Sequence, residues 1–219
     1  MPGVEILRGG AGLIVSAFPA AWLAWELDVE GRNRAEAPET LREVLTHEPG
    51  AVVAVNGPMF YGSVSYTSYR EAPIAYRVLD ARRGIDFPGE AFHARRGCTL
   101  SVVAGRASMA SGNVVAPGAT FAAQLFPEMI RGGRNVGSMT RDRDATGRAA
   151  AGILRDGRVF LATARTGIRQ MGDLLLAKGA VEAGYLDGGG STMHAVKGPD
   201  GALQVSVGLG SRRVPSFLL

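Results

Sequence analysis

Apolar and polar positions alternate along this chain in short runs, and glycine and proline interrupt the runs more often than charge does. Residues 13–16 and 22–29 read as strands joined through Phe18-Pro19-Ala20, and a charged stretch, E-G-R-N-R-A-E, follows the second. Pro38 stands where a helix opens, because proline suits a first helical position. Leu41, Val44 and Leu45 give P-E-T-L-R-E-V-L-T-H one apolar face, and Pro49-Gly50 stops it. A-V-V-A-V-N, ending at Asn56, is an unbroken apolar run, the pattern of a strand buried on both faces. From Ser63 to Gly97 no period is evident. The aromatics, prolines and arginines there predict a long ordered excursion or lid.

The second half is easier to read. C-T-L-S-V-V-A-G-R-A-S has the pattern of a hairpin. The clearest local signal is A-A-A-G-I-L-R-D-G-R-V-F-L-A-T-A, where apolar runs flank Asp156-Gly157, the preferred pair for a tight hairpin turn. Met171, Leu174, Leu175 and Lys178 recur at helical spacing over 168–178, and Gly179 supplies the stop. Strand V-E-A-G-Y-L-D, a glycine turn, strand T-M-H-A-V, a G-P-D-G turn and strand A-L-Q-V-S-V follow, with R-R-V-P-S-F-L-L as an added edge strand. The sum is an α+β fold: one domain over residues 1–219, with mixed, mainly antiparallel sheets and a few packed helices.

Composition adds limits. The 31 glycines are about twice the usual frequency, which fits many turns and short strands. With 24 basic and 20 acidic residues the net charge is only +4, and no like-charge run reaches the length of a nucleic-acid or membrane-binding tail. The arginines come in small groups, and arginine pairs well with planar phosphate or carboxylate, so an anionic substrate fits. A single cysteine, Cys98, excludes an intrachain disulfide and a thiolate metal cluster, and its apolar neighbours predict a buried thiol. Residues 12–25, with Arg8 ahead of them, loosely resemble a signal peptide. Pro19, the lack of a small-x-small site and the strand pattern that follows assign them to the fold instead. No run has the ~20 apolar residues that span a bilayer, and the compartment is left open.

The candidate chemistry centres on Y-L-D-G-G-G-S-T-M-H. Three glycines stand between Asp187 and the hydroxyls of Ser191 and Thr192. Ser191 lacks the glycine two residues on that G-x-S-x-G requires, and no G-K-[ST] marks a P-loop. His47, His93 and His194 are scattered, so a structural zinc is not expected. No cofactor is expected, while a divalent cation on carboxylate oxygens stays open. Asp142 and Asp144 read as solvated loop residues. The glycine run has two readings. It is a tight turn with Asp187 capping its own backbone, or a nest of backbone N–H groups that holds an anion beside a reactive carboxylate.

A-V-V-A-V-N-G-P-M-F, F-A-A-Q-L-F-P-E-M-I-R-G-G, G-R-A-A-A-G-I-L-R-D-G-R-V-F-L and G-Y-L-D-G-G-G-S-T-M occur in this order. Together they resemble the phosphodiester glycosidase family over about residues 51–219. The resemblance implies a hydrolase that cleaves a sugar (N-acetylglucosamine in the best-known member) from a sugar-1-phosphodiester. It implies that Asp187 acts as acid, base or nucleophile, that Arg148 holds the phosphate by a bidentate contact, and that Asn56 and Gln124 orient hydroxyls. Gly57, Arg165, Gly188, Gly189, Gly190, Ser191 and Thr192 join the expected substrate contacts, and Arg212 matches a C-terminal arginine of the family. Pro58 and Met59 depart from the family's N-G-G-F pattern and Leu125-Phe126 from its small residues, which puts the sugar preference in question. The expected partner is a small-molecule or glycan phosphodiester, with no nucleic acid and no membrane span. The pattern carries no signal for an oligomeric state. The alternative function is a non-catalytic module that binds phosphorylated glycan.

Overall fold

The run around Asp156-Gly157 forms the middle of the largest sheet in the computed structural model of the chain. The structure describes residues 4–26, 34–35, 40–58, 72–73, 77–87, 97–137, 145–208, 214 and 216–219. In chain order the first half gives β1 (Glu5–Arg8), β2 (Ile14–Phe18), β3 (Trp25–Glu26), β4 (Arg34–Ala35), α1 (Leu41–His47), β5 (Val53–Asn56), β6 (Ala72–Pro73), β7 (Val78–Asp80), β8 (Ile85–Phe87), β9 (Cys98–Val103) and β10 (Arg106–Ser111). The second half gives β11 (Phe121–Leu125), β12 (Glu128–Arg131), β13 (Arg134–Asn135), β14 (Thr146–Leu154), β15 (Val159–Thr166), α2 (Ile168–Leu176), β16 (Ala180–Gly188), β17 (His194–Lys197), β18 (Leu203–Val207) and β19 (Phe217–Leu218). One sheet runs β1-β2-β15-β14-β16-β12-β13, a second β10-β9-β11-β7-β8 and a third β18-β17-β5-β19-β3, while β4 pairs with β6. Every ladder among the described residues is antiparallel.

Successive side chains of a strand point to opposite faces, and this divides the apolar residues into three clusters. Ala149, Leu161 and Leu186 of the first sheet meet Leu100 and Phe121 of the second and Val55 of the third in the main core. The opposite face of the first sheet carries Ala150, Phe160, Ala162 and Tyr185, covered by Met171 and Leu175 of α2. The outer face of the third sheet carries Ala54, Ala195 and Phe217, covered by Leu41 and Val44 of α1. The layers therefore run α2, first sheet, shared core, third sheet, α1, with the second sheet closing the shared core from the side. Trp25 joins the second and third sheets. Its ring stacks on Phe121 with centroids 5.7 Å apart, and its Nε1–H donates to the Ala122 carbonyl at 3.0 Å.

The α+β, mainly antiparallel architecture expected from the sequence is present, but several connections differ. β2 does not pair with the strand that follows it. It lies between β1 and β15, while β3 pairs with β19 in the third sheet. A 3-10 turn at Ala20–Trp22 causes the change, with Trp22 N–H donating to Pro19 O at 3.0 Å. α1 opens at Thr40 rather than at Pro38, which lies outside the described residues. The Thr40 hydroxyl caps the Glu43 N–H, and the Glu43 carboxylate caps Thr40 N–H at 2.8 Å, the reciprocal capping box. α2 ends at Leu176, and Gly179 takes φ +88°. Within the expected excursion, β7 and β8 form a hairpin of the second sheet, and most of the rest lies outside the described residues. The last strand is no edge. β19 lies between β5 and β3, because Phe217 and Leu218 are both buried.

The β14–β15 hairpin is present with a longer turn than Asp156-Gly157 alone. Ile153 pairs with Val159, Leu154 N–H donates to Arg158 O at 2.8 Å, and three residues, 155–157, make the loop. Gly157 closes it at φ +87°, the left-handed position of a three-residue hairpin. Cys98 is fully buried, and burial, reinforced by the charges of Glu128 and Glu182, pushes its thiol well above its ordinary value. Thiolate is the reactive form, so a thiol reagent such as a disulfide dye is expected to leave native protein unlabelled and to label it fully in denaturant. Rapid labelling of native protein would contradict this burial.

Candidate active site

Three strand ends meet at the glycine turn. β16 delivers Asp187 and Gly188, a 3-10 turn spans Gly189–Ser191, and β17 leaves from His194. β14 lies alongside, with Arg148 opposite Gly188 and Ala150 opposite Tyr185. Between these pairs β14 advances two residues and β16 three, so β16 carries a β-bulge. Bulges bend a strand and re-aim side chains. Here Leu186 enters the main core, Tyr185 faces α2 and Asp187 is the additional residue.

Asn56, at the end of β5, holds the turn at both ends. Its Nδ2 donates to the Asp187 carbonyl at 3.0 Å and to the Gly57 carbonyl at 3.2 Å, and its Oδ1 accepts from Met193 N–H at 3.0 Å. Both amide hydrogens are thus used on backbone, and the residue is 1% exposed. Gly57 extends this brace. Its N–H donates to Ser216 O at 2.8 Å and its carbonyl accepts from Asp187 N–H at 3.2 Å. The Asp187 carboxylate is half-buried and accepts the Gly188 N–H at 2.7 Å. A side chain at Gly188 would overlap the Tyr185 hydroxyl and reach within 2.8 Å of Gly147 O, so this position has room only for glycine.

Arg148 and Arg165 lie on opposite faces of the first sheet. Arg148 pairs with Ala164, and its guanidinium lies on the α2 side. Nε donates to Thr166 O at 3.2 Å, Nη1 to the Tyr185 hydroxyl at 3.3 Å, and the group sits 5.6 Å from the centre of the Tyr185 ring. Arg165 pairs with Gly147, is exposed, and lines a cleft of about 360 Å³ together with Gly189, Gly190 and Thr192. Thr192 is 9% exposed, and its hydroxyl has no hydrogen-bond partner among the described residues. Thr163, also in this cleft, bonds through its hydroxyl to His194 Nδ1 at 3.0 Å. Ser191 is buried.

Gln124 lies apart from this cluster. Its Oε1 accepts from Arg77 N–H at 3.0 Å in the second sheet, and its Nε2 is buried with no partner among the described residues. A buried, unpaired donor costs about 1–3 kcal/mol. Arg212 and Met59 lie outside the described residues. A larger cavity of about 530 Å³, against Trp22, Arg82 and Leu219, includes none of the expected site residues.

Sequence reasoning missed His194 as a partner of the site. Its ring is fully buried between Thr163 and Ser16, whose Oγ lies 2.9 Å from Nε2, and burial lowers the imidazole to about 3. The apolar-polar pattern of T-M-H-A-V places His194 inside, and a histidine inside needs partners on both nitrogens. Among the described residues no three His, Cys, Asp or Glu side chains are grouped as metal ligands, and no helix is long and apolar enough to cross a membrane.

A family model described as phosphodiester glycosidase matches residues 49–219. The chain belongs to the phosphodiester glycosidase family. No curated protein matches it by sequence. Among solved structures, this chain is similar to the catalytic domain of zebrafish N-acetylglucosamine-1-phosphodiester alpha-N-acetylglucosaminidase, auto-inhibited by its pro-peptide. The TM-score is 0.69 at 12% identity, over 98% of this chain and 80% of that one. A hypothetical protein from Synechocystis gives a TM-score of 0.60 at 14% identity, covering 98% of this chain and 60% of that one. A putative exported protein from Burkholderia pseudomallei gives 0.55 at 14%, covering 94% and 73%. At these identities the likeness is one of fold.

Proposed function

We propose that the protein is a hydrolase that releases a sugar from a sugar-1-phosphodiester. The observation that carries this reading is the convergence of three of its family-like segments, β5–Gly57, β14 and β16–Thr192, on one end of the first sheet, where Asn56 fixes both ends of the glycine turn. In the reaction, the bond between the anomeric carbon and the phosphate oxygen breaks and the phosphomonoester leaves with the electron pair. Water supplies the new oxygen at carbon, and its proton goes to a carboxylate or to solvent. Asp187 is the carboxylate nearest the turn in sequence and acts at the anomeric centre as base or nucleophile. Fixed donors of the turn stabilise charge without having to reorganise.

Asp187→Asn keeps an oxygen that accepts the Gly188 N–H, so the fold should persist. Release of sugar from a sugar-1-phosphodiester is expected to fall by about 10²–10⁴, read as product formed per unit time, with an unchanged melting temperature. Wild-type rates in this variant would remove Asp187 from the chemistry. The second reading, a module that binds phosphorylated glycan without turnover, rests on the cleft itself. Among the described residues that line it there is an arginine but no carboxylate. Saturable binding with no product from the wild-type chain would select it.

A further inference from the structure

We propose that the phosphate group of the substrate is bound in the Arg165 cleft, on the core-side face of the first sheet, and that this subsite takes a singly charged phosphodiester in preference to a doubly charged monoester. The inference rests on the phosphodiester reading above and deepens it. Four observations carry it.

First, Arg148, the cation expected at the phosphate, is directed to the α2 face, where the Thr166 carbonyl and the Tyr185 hydroxyl and ring engage it. Second, Arg165 is the single charged side chain among the described residues that line the cleft, and it forms no ion pair with any of them. Third, the Thr192 hydroxyl is buried against this cleft with no partner. An unpaired buried hydroxyl is costly in the empty protein, and an anionic oxygen would relieve it. Fourth, apart from Thr163, whose hydroxyl is engaged by His194 Nδ1, the remaining wall is backbone and small apolar side chains, with Gly189, Gly190, Ala164 and Val207 in it.

The charge preference follows from this inventory. A phosphodiester carries one negative charge, which one guanidinium neutralises, and its two esterified oxygens suit glycine and alanine walls. A phosphomonoester carries close to two charges above its second pKa of about 6. Its second charge would meet no cation in the cleft, and removing it from water unpaired is unfavourable. Closely approaching glycine backbone admits the group, and a cleft of about 360 Å³ lies within the range of small-ligand sites.

The test uses binding, so it does not depend on turnover. Dimethyl phosphate and methyl phosphate are titrated at pH 8 into the full chain and followed by phosphorus NMR line broadening. The expected result is that the diester binds about tenfold more tightly than the monoester. Arg165→Met should weaken the diester by about tenfold or more. Arg155→Met, which removes the same charge from the opposite end of the same hairpin, should leave binding unchanged. Thr192→Val should weaken the diester without lowering the melting temperature, because it removes a hydroxyl that has no partner in the empty protein. Equal or tighter binding of the monoester, no binding of either probe, or an unaltered Arg165→Met would overturn the subsite. The two proposals fail separately. A bound diester with no hydrolysis of any sugar-1-phosphodiester sinks the hydrolase and leaves the subsite. Hydrolysis with an unchanged KM in Arg165→Met sinks the subsite and leaves the hydrolase.

Discussion

Asn56→Ala is expected to destabilise the protein by roughly 3–5 kcal/mol. The side chain is 1% exposed and makes three hydrogen bonds, to the carbonyls of Gly57 and Asp187 and to the Met193 N–H. Each such bond contributes about 0.5–1.5 kcal/mol net, and truncation leaves its partners buried without replacement. The loss has a second consequence, because these bonds hold both ends of the glycine turn. The turn should loosen before the rest of the sheet, visible as faster amide exchange at Gly188–Ser191. Asn56→Asp separates the two kinds of contact. A carboxylate keeps the acceptor for Met193 N–H but cannot donate to two carbonyls, so it should rescue little. Urea denaturation of the three proteins gives the answer, and a cost below about 1 kcal/mol for Asn56→Ala would show that the brace does not matter.

His194 should make stability fall steeply with acid. Burial holds its imidazole at about 3 in the native state, against about 6.5 in the unfolded chain. Only burial contributes to this shift; its ring partners, Ser16 and Thr163, are uncharged hydroxyls. Between those two values the unfolded chain binds a proton that the native state refuses, so stability is present above pH 6.5 and is lost as pH falls toward 3. The slope approaches about 1.4 kcal/mol per pH unit, which amounts to several kcal/mol across the window. Below about 3 both states are protonated and this contribution stops changing. His194→Gln removes the titration. Unfolding free energies measured from pH 4 to 7 should therefore converge toward those of the wild type as pH drops. Parallel curves would mean that His194 takes up its proton equally in the native and the unfolded protein.

Much of the fold can be read from local pattern because much of it is local. β14–β15, α2 and β16–turn–β17 are each set by contiguous residues whose periodicity and glycines agree. β3 could not be placed this way. Its partner is 193 positions away in the chain, Trp25 opposite Leu218, and nothing near Trp25 distinguishes that pairing from a hairpin with β2. The site shows a finer limit. A two-residue Asp156-Gly157 turn would pair Arg155 with Arg158 and, counting back, Arg148 with Arg165, side by side on one face. The observed loop has three residues, which pairs Arg148 with Ala164 and Gly147 with Arg165. A one-residue change of register turns a side chain to the other face of a sheet, and here it separates the two arginines that the sequence suggests would share a ligand. The glycine positions were legible, since Gly188 faces a neighbour that leaves no room for a side chain. The way Asn56 braces the turn was not, because it depends on two segments 131 residues apart.

The placement of β19 bears on how the molecule assembles. β17 and β18 are neighbours in the chain and pair as a hairpin, but β3 reaches that sheet only through β19. Trp25 pairs with Leu218, so the long segment between them must be in place before this ladder can form. Contacts of such long sequence separation slow folding, because the intervening loop must be closed before the pairing stabilises anything. Until then the apolar surface of β3 and the exposed edge of β5 are open to wrong partners. Sheet closure at residues 217–218 is thus the expected late step of folding, and the glycine turn, braced by Asn56 and by Gly57, whose N–H donates to Ser216 O, acquires its final shape only when that step is complete.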